Sequence, residues 1–184
     1  MLYLASKSPR RRELLRQIHV EFQCLDVDIE ENRTAGESPE VFVKRMAVEK
    51  AQAGLRMLTD PHSYVIGADT IVLLDNQVMS KPKDRNDGLN MLSRLSGRKH
   101  KVLSAVALTN SLVTSVELSI SDVEFREINA EERDLYWDSG EPADKAGAYA
   151  IQGIGAVFIK HISGSYSGVM GLPLYETGKL LASR

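Results

Sequence analysis

Tyr64-Val65-Ile66-Gly67-Ala68-Asp69-Thr70-Ile71-Val72-Leu73-Leu74 is followed by Asp75-Asn76-Gln77-Val78-Met79-Ser80-Lys81-Pro82. The first run is rich in β-branched and aliphatic residues and reads as a buried strand. Asp75-Asn76-Gln77 reads as a hairpin turn into a second short strand at 78–80. With that turn, residues whose numbers sum to about 151 face one another, so Lys81 falls opposite Thr70, or opposite Asp69 after a one-residue slip. Asp69 conflicts with its surroundings. A carboxylate in an apolar strand is costly unless paired, and such violations cluster at functional sites. The structural alternative is an Asp paired with a buried lysine or capping a turn. Gly67, two residues earlier on the same face, leaves room for a ligand to approach.

Outward from this strand, helices and strands alternate. Leu2–Ala5 reads as a strand, and Ser8-Pro9 opens a helix to about Gln17, with Ser8 as N-cap and Pro9 at the first helical position. A strand is expected over 20–27. Ser38-Pro39-Glu40 opens a second helix to about Leu58, with Val41, Ala47, Val48 and Ala51 facing the core. Asp84 caps a helix to about Leu95. Strands over 99–109 and 112–126, a helix over 130–139, a glycine-rich stretch at 147–155, a strand over 156–162 and a helix over 172–181 complete the chain. The hairpin among these elements makes the sheet mixed rather than all parallel. With 184 residues and no linker or repeat, one domain over 1–184 is expected.

Composition excludes several classes. The net charge is −2, with 43% hydrophobic and 26% charged residues, so neither nucleic acid nor membrane is called for as a partner. The single cysteine, Cys24, forms no intrachain disulfide, and His19, His62, His100 and His161 are scattered without metal-ligand spacing. No apolar stretch is long enough to span a bilayer, and the N-terminus lacks a signal-peptide core, so a cytoplasmic protein is expected.

Charge is nevertheless uneven. Lys7, Arg10, Arg11, Arg12 and Arg16 against Glu13 give residues 7–16 a net +4, while residues 21–40 carry a net −6. Such neighbours either attract each other as two solvated faces or bind a polyanion together with its counter-metal. The start of the first helix favours anion binding. Ser6 and Ser8 point to one side of an extended segment, the first helical N–H groups lack partners, and a guanidinium from Arg10 or Arg11 joins them. Arg10 and Arg11 lie about 100° apart around a helix and so do different jobs. The alternative is that Ser8 only caps and the arginines are surface residues. Gln152, among glycines, offers a donor and an acceptor that match N3–H and a carbonyl of uracil or thymine, though taken alone it reads rather as a loop residue. Lys50 by itself is an ordinary surface lysine.

Taken together, Leu4-Ala5-Ser6-Lys7-Ser8-Pro9-Arg10-Arg11, Glu49-Lys50-Ala51, Gly67-Ala68-Asp69-Thr70, Lys81-Pro82, Asp144-Lys145-Ala146-Gly147-Ala148-Tyr149, Ile151-Gln152-Gly153 and Gly171-Leu172-Pro173 resemble the Maf family of nucleotide pyrophosphatases. Within it, Arg10, Thr70 and Gln152 resemble the subfamily acting on dTTP and UTP. The resemblance implies an α/β fold with a mixed β-sheet flanked by helices, two lobes around a central cleft, a requirement for Mg²⁺ or Mn²⁺, and often a homodimer. It implies that Asp69 is the proton acceptor. Ser6, Ser8, Arg11, Lys50 and Lys81 fall at positions lining the phosphate cleft. Arg10, Thr70 and Gln152 fall at positions tied to base specificity, and Glu31 is the candidate metal contact. Lys7 stands where a small residue such as Gly is common. The activity implied is hydrolysis of a pyrimidine nucleoside triphosphate to monophosphate and pyrophosphate. Rival readings are a pyrophosphatase for modified pyrimidine triphosphates, a nucleotide-binding regulator of cell division with little turnover, and, more weakly, an RNA-binding module resting on the basic cluster.

Overall fold

A computed structural model describes residues 1–184. In chain order the elements are β1 (Leu2–Ala5), α1 (Pro9–Gln17), β2 (Gln23–Leu25), α2 (Pro39–Leu55), β3 (Tyr64–Leu74), β4 (Gln77–Met79) and α3 (Arg85–Leu95). There follow β5 (Lys99–Thr109), β6 (Thr114–Phe125), α4 (Ala130–Asp138), β7 (Ile159–Ser163), α5 (Tyr166–Met170) and α6 (Leu174–Ala182). The strands form one sheet in the order β2-β1-β3-β5-β6-β7, with β4 also on β3. β1 pairs in parallel with β2 and β3, whereas β3/β4 and β6/β7 are antiparallel. The sheet is therefore mixed, as expected. Two compact units divide the chain: residues 1–70, 104–119 and 171–184 form the first, residues 71–103 and 120–170 the second.

Local chemistry sets most of the element ends. Ser38 Oγ accepts the Val41 N–H and Pro39 occupies the first turn of α2. Asp84 accepts the Asp87 N–H at 2.9 Å at the start of α3. Asn129 and Glu132 form a reciprocal capping box on α4. Asp75 and Asn76 both have positive φ, 50° and 62°, the backbone of a two-residue hairpin turn. The ladder pairs Val72 with Met79 and Leu74 with Gln77, so facing numbers do sum to 151.

Four boundaries depart from the sequence reading, each for a visible reason. The strand expected at 20–27 shrinks to Gln23–Leu25, because the Val20 N–H closes the end of α1 on Leu15 O. α2 stops at Leu55, and the amides of Met57 and Leu58 turn back onto Gly54 and Leu55. β6 begins at Thr114 because Asn110 Oδ1 takes the Leu112 and Val113 amides. The last strand starts at Ile159 after a tight helical stretch at 154–158, whose first amides go to the Glu141 carboxylate instead of a ladder. Two further corrections concern the helices. α5 is a short helix that the sequence pattern does not announce, and Val41 is 56% exposed, the inner face of α2 being Phe42, Val43, Met46, Ala47, Ala51 and Gly54.

In the first unit, α2 lies against β3 with no side chain between them at Gly67. A Cβ there would sit 2.2 Å from Ala47 O and 2.4 Å from Ala51 N. The space beside Gly67 is therefore filled by helix backbone, not kept for a ligand as the sequence suggests. Gly67→Ala should cost about 3 kcal/mol or more, because the obstructing atoms are backbone and neither element moves cheaply. Urea denaturation of the variant checks this.

In the second unit, the core packs His100 edge-on against Phe125 and Tyr149, with ring centroids 4.9 and 5.4 Å away. His100 Nε2 shares a 2.8 Å hydrogen bond with the Tyr149 hydroxyl, while Nδ1 is buried without a partner. Burial pushes the imidazole down to about 4 from its ordinary 6.5. Between those values the unfolded chain binds the proton and the folded one does not, so stability is complete above pH 6.5 and falls as pH drops toward 4. That contribution amounts to roughly 3 kcal/mol at about 1.36 kcal/mol per unit. Urea denaturation at pH 7 and pH 4 should show a smaller acid loss in His100→Gln than in the parent; equal losses would refute the assignment.

Candidate active site

β1 hands the chain to Ser6 directly beside β3, since Ala5 pairs with Gly67. Ser8 occupies the N-cap position of α1, but its side chain makes no cap bond. Its N–H donates instead to the buried Ser6 Oγ at 3.2 Å. The two serines therefore act as a pair, not as a cap, which corrects the simple reading of Ser8. One turn on, the Arg11 guanidinium spans the first unit. Nε donates to Gly171 O at 2.7 Å, Nη1 to Ser6 Oγ at 3.4 Å and Nη2 to Thr70 Oγ1 at 3.5 Å. Thr70 Oγ1 also meets Ser104 Oγ at 2.9 Å. Burial lowers the guanidinium's pKa and the Asp69 charge opposes that shift. Arg10 makes none of these bonds, in keeping with its different helical face.

Asp69 and Lys50 form the second half of this cluster. α2 carries Lys50 one residue before Ala51, so the helix seated at Gly67 delivers its ammonium to the same face of β3. Lys50 Nζ lies 2.7 Å from Asp69 Oδ1 and 2.6 Å from Glu31 Oε1, with 12% and 10% of the Lys50 and Asp69 side chains exposed. The buried lysine partner considered as an alternative for Asp69 is thus present. Pairing of this kind does not exclude chemistry. Burial pushes the Asp69 carboxyl above its ordinary range, Lys50 and Arg11 pull it back, and Glu31 adds to the rise. The net direction is upward, toward a base of useful strength.

Glu31 reaches this place because its loop is tied to α2. Arg45 Nε and Nη2 hold both oxygens of the buried Glu37 at 2.7 and 2.8 Å, and Nη2 also donates to Asn32 O at 2.9 Å. Arg33 donates to Glu37 O through Nε at 2.7 Å. The Arg45 guanidinium holds the Glu37 carboxyl down at about 2. Of the acidic stretch, then, Glu37 and Glu31 are structural and site partners, while Asp26 makes an exposed 2.9 Å ion pair with Lys7. The attraction of the basic and acidic stretches for each other is thus seen in Lys7 and Asp26. Lys7, the unusual residue between the serines, spends its ammonium on that exposed pair.

No group of three or more Asp, Glu, His or Cys side chains is placed to hold a metal. Glu31, its side chain 45% exposed beside Lys50, offers a carboxylate to a hard divalent ion. Mg²⁺ commonly takes one or two carboxylates and completes its shell with water and substrate phosphates.

Lys81 and Gln152 belong to the second unit. Lys81 is exposed and follows β4, whose ladder ends at Val72–Met79, so the pairing expected opposite Asp69 is not formed; the ammonium on Asp69 is that of Lys50. Gln152 is exposed between the buried Ile151 and the tight stretch at 154–158. Sequence reasoning missed Ser104 and the Gly171 carbonyl. Ser104, buried within Val102-Leu103-Ser104-Ala105-Val106, carries the same signal as Asp69, a polar residue inside an apolar strand.

The model of the family described as Maf-like protein matches residues 1–184. The dTTP/UTP pyrophosphatase of Saccharophagus degradans is 53% identical over 182 residues, covering 98% of this chain and 87% of the relative. That of Alkalilimnicola ehrlichii is 54% identical over 184 residues, covering 98% and 91%. That of Pseudoalteromonas atlantica is 50% identical over 184 residues, covering 99% and 96%. Matched by that family over its whole length and half-identical to these relatives, this chain belongs to the Maf family.

Proposed function

We propose that the chain hydrolyses dTTP and UTP between the α and β phosphates, releasing the nucleoside monophosphate and pyrophosphate. The observation that carries this reading is the Asp69–Lys50 pair beside Arg11: a buried acid of raised pKa next to two cations that a polyphosphate needs. Relatives at half identity over nearly their full length, named for this reaction, support the substrate class.

Nearly four negative charges must be neutralised on the triphosphate. Arg11, Lys50 and Lys81 supply positive charge. Ser6, Ser8 and the unpaired N–H groups opening α1 supply donors for phosphate oxygens. Asp69 accepts a proton from the attacking water; the water oxygen bonds to phosphorus, the bridging P–O bond breaks, and pyrophosphate leaves with the electron pair. Arg10, Thr70 and Gln152 recognise the base. Mg²⁺ or Mn²⁺, held by Glu31 together with phosphate oxygens, would supply Lewis-acid neutralisation of phosphate charge. No helix is long and apolar enough to cross a membrane. The reading extends to one functional domain over 1–184 in the cytoplasm, as expected from the sequence, and to the homodimer that is frequent in the family it resembles.

A panel of nucleoside triphosphates, with and without divalent ion, tests this. Metal-dependent pyrophosphate release should be fastest on dTTP and UTP, and binding without turnover would instead favour a regulator. Asp69→Asn should lose about 10²–10⁴ in kcat, the usual contribution of a general base. Because the base works ionised, the parent's kcat/KM should fall with acid through a midpoint above the ordinary aspartate value of about 3.9. A D69N enzyme keeping the parental rate would remove Asp69 from the mechanism.

A further inference from the structure

Gln152 is useful only if its amide is held still. Uracil and thymine present an N3–H donor and a carbonyl acceptor, whereas cytosine presents an acceptor at N3 and an amino donor. A side-chain amide turned over by 180° matches cytosine as well as it matched uracil. Discrimination therefore needs the amide held at one place against the base, and a fixed backbone is what sets that place.

That backbone hangs on one carboxylate and one phenol. Glu141 Oε2 accepts the Ile154 N–H at 2.9 Å, and Oε1 accepts the Gly155 N–H at 3.0 Å and the Tyr136 hydroxyl at 2.6 Å. The Tyr136 oxygen in turn accepts the Ala150 N–H at 3.1 Å. The two ends of the loop bearing Gln152 are thus joined through a single hydrogen-bonded pair. Packing is close: a Cβ at position 153 would lie 2.2 Å from Glu141 Oε2, and one at position 155 would lie 2.5 Å from the Tyr136 oxygen. Tyr136 is itself buried and packs edge-on to Phe158 with centroids 5.0 Å apart. Burial raises the Glu141 carboxyl, but hydrogen bonds from Tyr136, Gly155 and Ile154 outweigh it and hold the group below its ordinary value. It remains an anion throughout the neutral range.

We propose that Glu141 is a positioning residue for base selection, clamping residues 150–155 through Tyr136 and the Ile154 and Gly155 amides so that Gln152 meets the pyrimidine in one orientation. The proposal rests on the reading of Gln152 as the base contact. Its chemistry is that of a fixed anion binding loop amides, without contact to substrate. Replacing the carboxylate by an amide leaves an NH₂ group facing backbone donors, so the loop loosens even though volume is kept.

The test compares UTP with CTP, both with Mg²⁺, in the parent, Glu141→Gln, Gln152→Ala and the double variant. Glu141→Gln should lower the UTP-over-CTP preference in kcat/KM by about tenfold, chiefly through KM for UTP, while CTP turnover stays within about threefold. The double variant should lose no more preference than Gln152→Ala alone. Hydrogen exchange should show the Ile154 and Gly155 amides losing protection. If Glu141→Gln does not fold, Tyr136→Phe releases the Ala150 amide with the carboxylate intact and should reduce the preference in the same direction. Parental preference in the clamp variants alongside a loss in Gln152→Ala overturns the clamp and leaves Gln152 as base contact. An equal loss on both nucleotides makes Glu141 merely structural and also overturns it. Parental preference in Gln152→Ala overturns the base-reading role itself, and the clamp's purpose with it.

Discussion

The missing side chain at Gly67 governs the site. α2 rests on β3 where Ala47 O and Ala51 N occupy the volume that any Cβ would need. Lys50 precedes Ala51 by one residue and Asp69 follows Gly67 by two, on the same face of the strand. The close approach of backbone to backbone thus sets the depth at which an ammonium meets a carboxylate. A helix held out by a methyl group would carry Lys50 away from Asp69 and leave the acid buried without its nearest partner, a costly state for an ionised group.

Electrostatics then follows from crowding of unlike and like charges around that acid. Burial favours the protonated carboxyl, Lys50 and Arg11 favour the ionised one, and Glu31 shares Lys50 with it. The balance leaves Asp69 above its ordinary range. The Arg45–Glu37 pair matters to this balance at second hand, since it folds the 31–37 loop onto the helix that carries Lys50. Arg11 links the other side, reaching Ser6, Thr70 and the Gly171 carbonyl from one guanidinium. A polyphosphate that draws on Lys50 and Arg11 would therefore alter the titration of Asp69.

What can be read from sequence is what short-range chemistry decides. Ser38-Pro39, Asp84 and the Asn129–Glu132 box mark helix starts through atoms three residues away, and Asp75-Asn76 set the hairpin register that places Val72 against Met79. Asp69 stands out because it breaks the pattern of its element. Illegible are the contacts that join distant segments. Nothing in Ser8 announces that its amide turns to Ser6, and nothing in Gly171 announces that its carbonyl receives Arg11, 160 residues away in sequence. The amides at 154 and 155 read as the end of a glycine-rich stretch until the Glu141 carboxylate is seen to take them. Gly67 is legible as a special position but with the wrong occupant, helix backbone rather than ligand. Lys81 shows the limit of register arithmetic: the numbering is right, and the ladder ends two residues before it.

The most direct examination is a ¹³C NMR titration of the Asp69 carboxyl, alone and with Mg²⁺ and a UTP analogue whose α–β bridge is a methylene group. In the free protein the midpoint should lie above the ordinary aspartate range, and binding of the analogue should displace it, since Lys50 and Arg11 serve both partners. A midpoint at the ordinary value that ignores bound nucleotide would contradict a triphosphate site built around this acid.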